Sequence, residues 1–212
     1  SQVSEKLRGQ AGTDVRLTLE RDGKQFEKTI KRQEIQLPNV SYYSMLDNHT
    51  GYIKLDEFTK DAGKNVLEAY KKLKAEGADK LVLDLRGNGG GLLNEAVNIV
   101  NIFVDKGQTV VSKKAKNVEK SVTFKTTQKA FDANVPLVVL IDAYSASASE
   151  IVAGSLQDLD RAVVVGQRSF GKGLVQTVIP LIYNTQMKVT ESKYYIPSGR
   201  CIQAIDYANR DE

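Results

Sequence analysis

The chain has 212 residues, and its composition of 41% hydrophobic and 26% charged residues is typical of a folded globular protein with one sizeable core. The formal net charge is +4, and because basic and acidic residues are spread along the chain, they indicate solvated faces and not a nucleic-acid groove. No apolar run approaches the roughly 20 residues that cross a bilayer. The single cysteine, Cys201, excludes an intrachain disulfide.

The first 35 residues predict a small β-rich unit. Residues 15–21 alternate between apolar and polar side chains, an Asp-Gly pair follows, and residues 26–30 have the pattern of the returning strand of a hairpin. So short a segment has too few apolar side chains for a stable core of its own. We therefore predict one domain at residues 1–35 and a larger one at residues 36–212.

Beyond this boundary, strands and helices alternate. The predicted strands cover residues 51–55, 80–85, 137–141, 162–165 and 187–195, with two shorter ones around Val110 and Val122. The predicted helices cover residues 60–75, 92–103 and 148–159. Strand 80–85 shows little polar alternation, which is typical of a strand buried on both faces. The order of elements predicts an α/β layer fold.

Ser147 and Lys172 each follow a predicted buried strand, where α/β folds build their sites. Serine is a poor nucleophile until a base takes its proton, and the only histidine, His49, lies in neither motif. A lysine can serve as that base when it is neutral, which favours a desolvated position. Glycines and apolar residues around Lys172 suit such a position. Local sequence alone leaves open a helix N-cap for Ser147 and a solvated loop for Lys172.

A glycine-rich turn at residues 86–91, Arg-Gly-Asn-Gly-Gly-Gly, follows one predicted strand and precedes a helix. Glycines permit positive φ and leave backbone N–H groups bare, so the turn is suited to form half of an oxyanion hole. A tight strand-to-helix turn without that role is the alternative. The glycine spacing does not match a dinucleotide-binding turn.

A competing motif is the string at residues 166–173, which nearly matches a P-loop. Position 173 is glycine, so the hydroxyl that would hold magnesium is absent, and the residues up to Pro180 are β-branched where a P-loop opens a helix. Nucleotide binding is therefore disfavoured. Histidine and cysteine do not cluster and acidic residues are scattered, so we predict neither a metal nor a cofactor.

Together, these motifs resemble those of the carboxyl-terminal processing peptidases, also called tail-specific proteases. The matching stretches follow the family's order and spacing across residues 51–200, and they are Gly51–Ile53, Leu83–Leu92, Ser145–Ala153, Gln157–Asp158, Val165–Gly166, Phe170–Gln176 and Tyr195–Arg200. The string Phe-Gly-Lys-Gly-x-Val-Gln and the Ser-to-Lys spacing are specific. The resemblance implies a serine endopeptidase that cleaves proteins near their C-termini through an acyl-enzyme.

The resemblance also implies residue roles. Ser147 is then the nucleophile, Lys172 the general base, and Gln176 the residue that orients the lysine or the substrate. The oxyanion hole is formed by the backbone N–H groups of Gly90 and Ala148. Three further residues match positions that support the site, namely Asp158, Arg86 and Asn88. Glu150 is a conceivable partner of the lysine, although an acidic residue in the first turn of a helix needs no such role.

The implied fold is an α/β peptidase core related to crotonase-like and Clp-type folds, with β-rich additions. Family members carry a PDZ domain before the core, and residues 3–32 resemble only its last part. We therefore expect a fragment of a longer protein, trimmed at both ends. Protein or peptide substrates with accessible C-terminal tails are the implied partners, and the implied location is the bacterial periplasm or cell envelope. Assembly into a homo-oligomer stays open.

Two other functions remain as alternatives. The first is a catalytically silent tail-binding or scaffold protein on the same fold, and the presence of both Ser147 and Lys172 argues against it. The second is an acyl-CoA enzyme of the crotonase type, which shares an oxyanion hole built from glycines. That class generally uses carboxylates and has no need of a Ser–Lys pair.

Overall fold

The computed structural model describes residues 2–34 and 38–205. The chain divides into two compact units, Ser1–Pro38 and Asn39–Glu212. The predicted domain boundary at residues 35 and 36 lies outside the described residues.

The smaller unit consists of helix α1 (Gln2–Leu7) and the antiparallel hairpin of β1 (Asp14–Arg21) and β2 (Lys24–Lys31). Asp22 and Gly23 both have positive φ, as the turn of a tight hairpin requires. Every residue of β2 is exposed. The hairpin therefore buries little apolar surface, as expected for a segment with so few apolar side chains.

The larger unit alternates strands and helices in its first part and is β-rich afterwards. Its described strands are β3 (Val40–Met45), β4 (Thr50–Leu55), β5 (Lys80–Asp84), β6 (Thr109–Ala115), β7 (Val122–Lys125), β8 (Leu137–Ile141), β9 (Val163–Gly166), β10 (Leu174–Pro180) and β11 (Gln186–Tyr195). Its described α-helices are α2 (Ala62–Ala75), α3 (Leu93–Phe103) and α4 (Ala148–Asp158), and a 3₁₀ turn covers Val118–Lys120. Each of the three helices begins and ends within two residues of its predicted bounds.

Five strands form the central sheet in the order β3-β4-β5-β8-β9. The last four are parallel, and β3 is an antiparallel edge strand. Helix α2 connects β4 to β5, α3 lies between β5 and β8, and α4 connects β8 to β9. Because β5, β8 and β9 are parallel neighbours, their carboxyl ends lie at one edge of the sheet, where such folds place their sites.

The core lies between this sheet and the three helices. Ile53 and Leu55 of β4 and Leu83 of β5 are fully buried, and they join one apolar cluster with Val66 and Leu73 of α2. Full burial of each such side chain contributes about 1.5–3 kcal/mol to the stability of the fold. The apolar stripes that predicted the helices are therefore the faces that the core covers.

A second sheet has the order β10-β11-β6-β7 and is antiparallel throughout. It contains the two short strands predicted around Val110 and Val122 and the β-rich segment predicted after Leu174. The long strand β11 pairs with β10 on one side and with β6 on the other. Strand β10 begins two residues after Lys172, so this sheet extends from the candidate site. Among the described residues, no helix is long and apolar enough to cross a membrane.

Candidate active site

The loops after β5, β8 and β9 contact one another at the carboxyl edge of the central sheet. The N–H of Ala146 donates to the carbonyl oxygen of Asn88 at 3.0 Å, which joins the first loop to the second. The N–H of Phe170 donates to the carbonyl oxygen of Ser145 at 3.0 Å, which joins the second loop to the third. The three motifs that the sequence singles out therefore form one cluster.

Ser147 lies between β8 and α4 at the N-cap position, with φ 55° and ψ −110°. A positive φ is uncommon for a residue other than glycine, and such strain persists where surrounding bonds determine it. The N–H of Ser147 donates to Oε2 of Glu150 at 2.8 Å, and its carbonyl oxygen accepts from the N–H of Ile151 at 2.9 Å. A serine on a sharp, strained turn that opens a helix is typical of an exposed nucleophile.

Gly90 packs directly against this turn. Its φ is +97°, and a Cβ placed there would lie 2.6 Å from the carbonyl oxygen of Ala146. The same Cβ would lie 2.9 Å from the backbone nitrogen of Ala148 and 2.9 Å from Cβ of Ser147. The sequence-predicted residues Gly90, Ser147 and Ala148 are therefore in contact, and only glycine fits at position 90.

The N–H of Gly90 is already engaged, because it donates to Oδ1 of Asn88 at 2.9 Å. Asn88 is fully buried, and its side-chain amide donates to the carbonyl oxygen of Leu55 at 2.9 Å. Its carbonyl oxygen also accepts from the hydroxyl of Ser149 at 2.9 Å. Asn88 thus fixes the glycine turn against β4 and α4. The N–H of Gly90 must share or leave this bond before it can stabilise an oxyanion.

Lys172 lies in the loop after β9, and its side chain is exposed. The sequence left both a desolvated and a solvated position open for this lysine, and the structure shows the solvated one for a physical reason. A Cβ at Gly171 would lie 2.2 Å from Cβ of Ala204, and one at Gly173 would lie 2.4 Å from the nitrogen of Gln203. The neighbouring glycines are buried because their backbone packs against another segment, and this packing does not enclose the lysine side chain.

The side chains of Ser147 and Lys172 make no hydrogen bond to each other. The predicted orienting residue, Gln176, is exposed, and its Nε2 donates to Oγ1 of Thr190 on β11 at 3.1 Å. The structure thus brings the loops of Ser147 and Lys172 together, while the side-chain amide of Gln176 bonds to β11. Catalytic hydrogen bonds are often long or misaligned in proteins without substrate.

Glu150 has a role in this cluster that the sequence did not reveal. Its side chain is buried, and its carboxylate accepts the N–H of Ser147 and the N–H of Lys172, each at 2.8 Å. The expectation of a lysine partner thus applies to the backbone of Lys172 and not to its ammonium group. The available signal in the sequence was an acidic residue three positions after the candidate nucleophile, in the first turn of the predicted helix.

Arg86 supports the turn through a buried carboxylate. Asp84, at the end of β5, accepts hydrogen bonds from the guanidinium group and N–H of Arg86 and from the hydroxyl of Tyr52 at 2.5 Å. Lys54 forms an ion pair with the same carboxylate at 3.5 Å. Burial raises the pKa of Asp84, but the bonds from Arg86 and Tyr52 outweigh burial and bring the pKa to about 2.

Asp158 lies at the far end of α4 from Ser147. An α-helix rises about 1.5 Å per residue, so the two positions are roughly 16 Å apart. The carboxylate of Asp158 accepts from the N–H of Ser198 at 2.8 Å and from the guanidinium group of Arg200 at 2.5 Å. Burial raises the pKa of Asp158, but the bonds from Ser198 and Arg200 lower it overall. Its contacts are those of a residue that anchors the helix.

The P-loop-like string and the single cysteine can also be located in the structure. The segment after Gly173 is strand β10, so the P-loop-like string does not open a helix. Within the part of the chain that the structure describes, no group of three or more His, Cys, Asp or Glu residues is arranged to hold a metal ion. Cys201 is half-buried and unpaired.

The fold and the cluster at the sheet edge agree with a hydrolase of the peptidase class. Comparison with known families identifies the family to which the chain belongs. The profile of peptidase family S41 matches residues 49–208. The chain therefore belongs to peptidase family S41. This membership confirms the resemblance and supports a serine-type peptidase.

Named relatives extend the match to nearly the whole chain. A carboxy-terminal-processing protease of Bartonella bacilliformis is 39% identical over 97% of the chain, and a probable CtpA-like serine protease of Staphylococcus aureus is 38% identical over 95%. The chain spans 48% and 40% of the lengths of these two proteins. They therefore contain segments that have no counterpart in this chain.

Solved structures show the same architecture. The photosystem II D1 C-terminal processing protease superposes with a TM-score of 0.72 and 31% identity, covering 96% of this chain and 56% of that protein. A putative S41 protease from Bacteroides fragilis superposes with a TM-score of 0.65 at 17% identity, covering 88% of this chain and 55% of that protein. At that identity the second match supports the fold alone. The predicted α/β class is confirmed as the mixed α/β fold of S41 peptidases.

Proposed function

We propose that this chain carries the catalytic core of a serine endopeptidase that cleaves proteins near their C-termini, with Ser147 as nucleophile and Lys172 as general base. The contact of Gly90 with Ser147 and Ala148 carries the proposal. It puts a strained serine, a helix N-terminus and a glycine turn at one point of the sheet edge. These are the components that acyl transfer requires.

The proposed reaction has two acyl-transfer steps. Oγ of Ser147 attacks the carbonyl carbon of the scissile bond while its proton passes to Nζ of neutral Lys172. The oxyanion is stabilised by the N–H of Ala148 and by the N–H of Gly90 once Asn88 releases or shares it. Collapse of the tetrahedral intermediate breaks the C–N bond, and Lys172 donates the proton to the leaving amine. Water then hydrolyses the acyl-enzyme with Lys172 as base again.

The chemistry requires the lysine side chain to move from its exposed position to the serine hydroxyl. A bound substrate supplies a reason for that movement, since it displaces water and encloses the ammonium group in a less polar surrounding. Gln176 is positioned on β10, four residues after Lys172, and we assign it a role in orienting substrate.

The substrate class is proposed from the relatives. Two of them are named for C-terminal processing, and a protein substrate follows from the peptidase family. We propose that recognition of the C-terminal tail involves a PDZ domain of which residues 1–35 form the last part. The periplasm or cell envelope is the proposed location.

The second candidate function is binding of protein tails without catalysis, with the site in a silent conformation. The exposed side chain of Lys172 and the bond between the Gly90 N–H and Asn88 both favour it. In this case the site would bind tails without turnover until another segment or a substrate rearranges it.

A covalent probe tests the proposal directly. Incubation with a fluorophosphonate, followed by intact mass spectrometry, is expected to give one adduct on the wild-type chain and none on Ser147→Ala or Lys172→Ala. Ser147→Ala removes the oxygen that the probe labels, and Lys172→Ala should lower the labelling rate by about 10³-fold or more, because nucleophile and base act as a unit. The exposed residues Ser41 and Lys64 provide matched controls, and Ser41→Ala and Lys64→Ala should label like wild type. An adduct that survives in Lys172→Ala would refute the lysine as base.

A further inference from the structure

Glu150 binds four donors with the two oxygens of one carboxylate. Oε2 accepts the N–H of Ser147 and the N–H of Lys172, each at 2.8 Å. Oε1 accepts the hydroxyl of Ser169 at 2.8 Å and the N–H of Gly171 at 2.5 Å. The side chain is 5% exposed. A carboxylate offers about four lone-pair sites, so protein donors occupy its full capacity.

Ordinary helix capping explains only one of these four bonds. A first-turn glutamate that reaches back to the N-cap residue needs the N–H of Ser147 alone. The other three donors lie in residues 169–172, beyond strand β9. The carboxylate therefore connects two loops that are separate in sequence, one with the candidate nucleophile and the other with the candidate base.

We propose that Glu150 is the positioning residue that holds the serine turn and the lysine loop at a fixed separation. Because both backbone nitrogens bond to the same oxygen, they can be no further apart than twice the 2.8 Å bond length. Hydrogen bonds to a buried charged acceptor are short and strong. Glu150 acts on the reaction only through this alignment. The catalytic consequence rests on the proposed Ser–Lys mechanism, whereas the structural link can be measured independently.

Glu150→Gln is the most direct test of the link between the two loops. It keeps the shape of the side chain, but one of its terminal atoms becomes an NH₂ donor that faces N–H or O–H groups. An NH₂ in place of Oε2 faces the N–H groups of Ser147 and Lys172. One in place of Oε1 faces the N–H of Gly171 and a Ser169 hydroxyl that can turn to accept. Either orientation therefore loses at least one backbone bond, and both remove the negative charge that strengthens all four. Glu150→Gln should therefore loosen both loops, while the α4 helix retains its buried apolar residues.

Two other substitutions are matched controls. Glu95 is the acidic residue in the first turn of α3, and it accepts the N–H of Gly63 at 2.8 Å. Glu95→Gln makes the same chemical change at a carboxylate that has no bond to either loop. Ser169→Ala removes one hydroxyl donor from Glu150 and leaves the three backbone bonds in place.

The experiment combines hydrogen–deuterium exchange with fluorophosphonate labelling on the full chain. Glu150→Gln should speed exchange about tenfold in both segments 145–150 and 168–173, and leave exchange in β5 unchanged. It should also slow labelling by about 100-fold, since small misalignments of a catalytic pair have effects of that size. Glu95→Gln should match wild type in both measurements, and Ser169→Ala should slow labelling by less than about fivefold.

Three results would overturn the proposal. Faster exchange in segment 145–150 alone would reduce Glu150 to a helix cap. Unchanged exchange in both segments would show that Glu150 does not link the two loops. Altered exchange together with a wild-type labelling rate would show that the link does not align the catalytic pair. If the wild-type chain takes no label while exchange changes as expected, the link stands and the proposed peptidase activity fails in this chain.

Glu150→Asp keeps the test decisive if Glu150→Gln does not fold. The aspartate keeps the charge but is one methylene shorter, so it should still cap the turn at Ser147 while losing the bonds to residues 169–172. Exchange should then rise in segment 168–173 only. Wild-type protection of both segments in this variant would contradict a link that depends on the bonds of this side chain to residues 169–172.

Discussion

At the scale of single residues, the site depends on backbone groups more than on side chains. Gly90 contacts the serine turn because it has no Cβ, and its N–H is held by Asn88. Lys172 contributes its N–H to the carboxylate of Glu150 while its side chain remains exposed. A substitution that changes the backbone conformation should therefore affect the site more than one that changes an exposed side chain.

Glycine substitutions in the turn test this dependence. Gly90→Ala would put a methyl group 2.6 Å from the carbonyl oxygen of Ala146 at a positive φ, a conformation that costs about 1–2 kcal/mol for alanine before any clash. We expect labelling by a fluorophosphonate to fall by about 100-fold or more. Gly89→Ala is the matched control, because a Cβ there meets nothing within 4 Å. Equal labelling of the two variants would exclude a tight fit at Gly90.

At the scale of elements, α4 connects the nucleophile to a separate anchor. Ser147 lies at its N-terminus, and Asp158 at its last turn bonds to Ser198 and Arg200. The two ends have different contacts, because the first lies against the glycine turn at Gly90 and the second fixes the helix to the segment before Cys201. Family resemblance had assigned Asp158 a supporting position, and its contacts supply a mechanism for that support.

Asp158→Asn should therefore lower the stability of the fold and leave the reactivity of Ser147 nearly unchanged. Loss of charge-assisted bonds at a buried carboxylate should lower the free energy of unfolding by about 1–3 kcal/mol, as measured by denaturant titration. The labelling rate per folded molecule should stay within about threefold of wild type, since the carboxylate does not contact the reacting atoms. The exposed Glu57 gives a control, Glu57→Gln, that should leave both values unchanged. A large loss of labelling rate with an unchanged free energy of unfolding would show that Asp158 takes part in the reaction.

At the scale of the whole molecule, one buried and one half-buried carboxylate join distant elements. Asp84 binds side chains of β4 and of the glycine turn. Asp132 accepts from the hydroxyl of Tyr70 at 2.9 Å and pairs with Lys74, so it joins α2 to the segment before β8. Burial raises the pKa of Asp132, but the bond from Lys74 and its other donors outweigh burial and bring the pKa to about 2.

The fold should accordingly lose stability in acid. A carboxyl group with a pKa of about 2 in the folded chain and an ordinary value of 3.8 when unfolded contributes stability above about pH 4. That contribution disappears as the pH falls from 4 towards 2, and it amounts to roughly 2 kcal/mol per group. Denaturant titrations at pH 6, 4, 3 and 2 should show a smaller acid loss in Asp84→Asn, whose stability is already lower at pH 6. An identical pH dependence in both chains would show that Asp84 is not a source of acid sensitivity.

Much of the element pattern could be predicted because it is local. The apolar stripes at helical spacing gave α2, α3 and α4 to within two residues, since the core covers one face of each helix. Most strands followed from short apolar runs, and the glycine turn and the serine run followed from their places after those strands. The edge strand β3 (Val40–Met45) was not predicted, because its sequence has no such apolar run. Family membership was likewise available from the order and spacing of motifs.

The sequence left both a desolvated and a solvated position open for Lys172, and the structure decided between them because neighbours in sequence are not always neighbours in space. Glycines at positions 171 and 173 are buried against Gln203 and Ala204, and this burial encloses backbone while Lys172 points outward. Strand pairing directs the amide of Gln176 to Thr190, and its role in orienting the lysine or the substrate stays a prediction.

The sequence by itself determined the α/β class, the helices and their apolar faces, the peptidase family and the candidate catalytic residues, because these depend on periodicity and on short motifs. Only the tertiary structure decided that Glu150 bonds to the loops of both Ser147 and Lys172, that Asn88 holds the N–H of Gly90, and that the lysine side chain is exposed. These features depend on loops that the parallel sheet brings to one edge, and the position of a hydrogen-bond donor in a distant loop cannot be read from the residues around its acceptor.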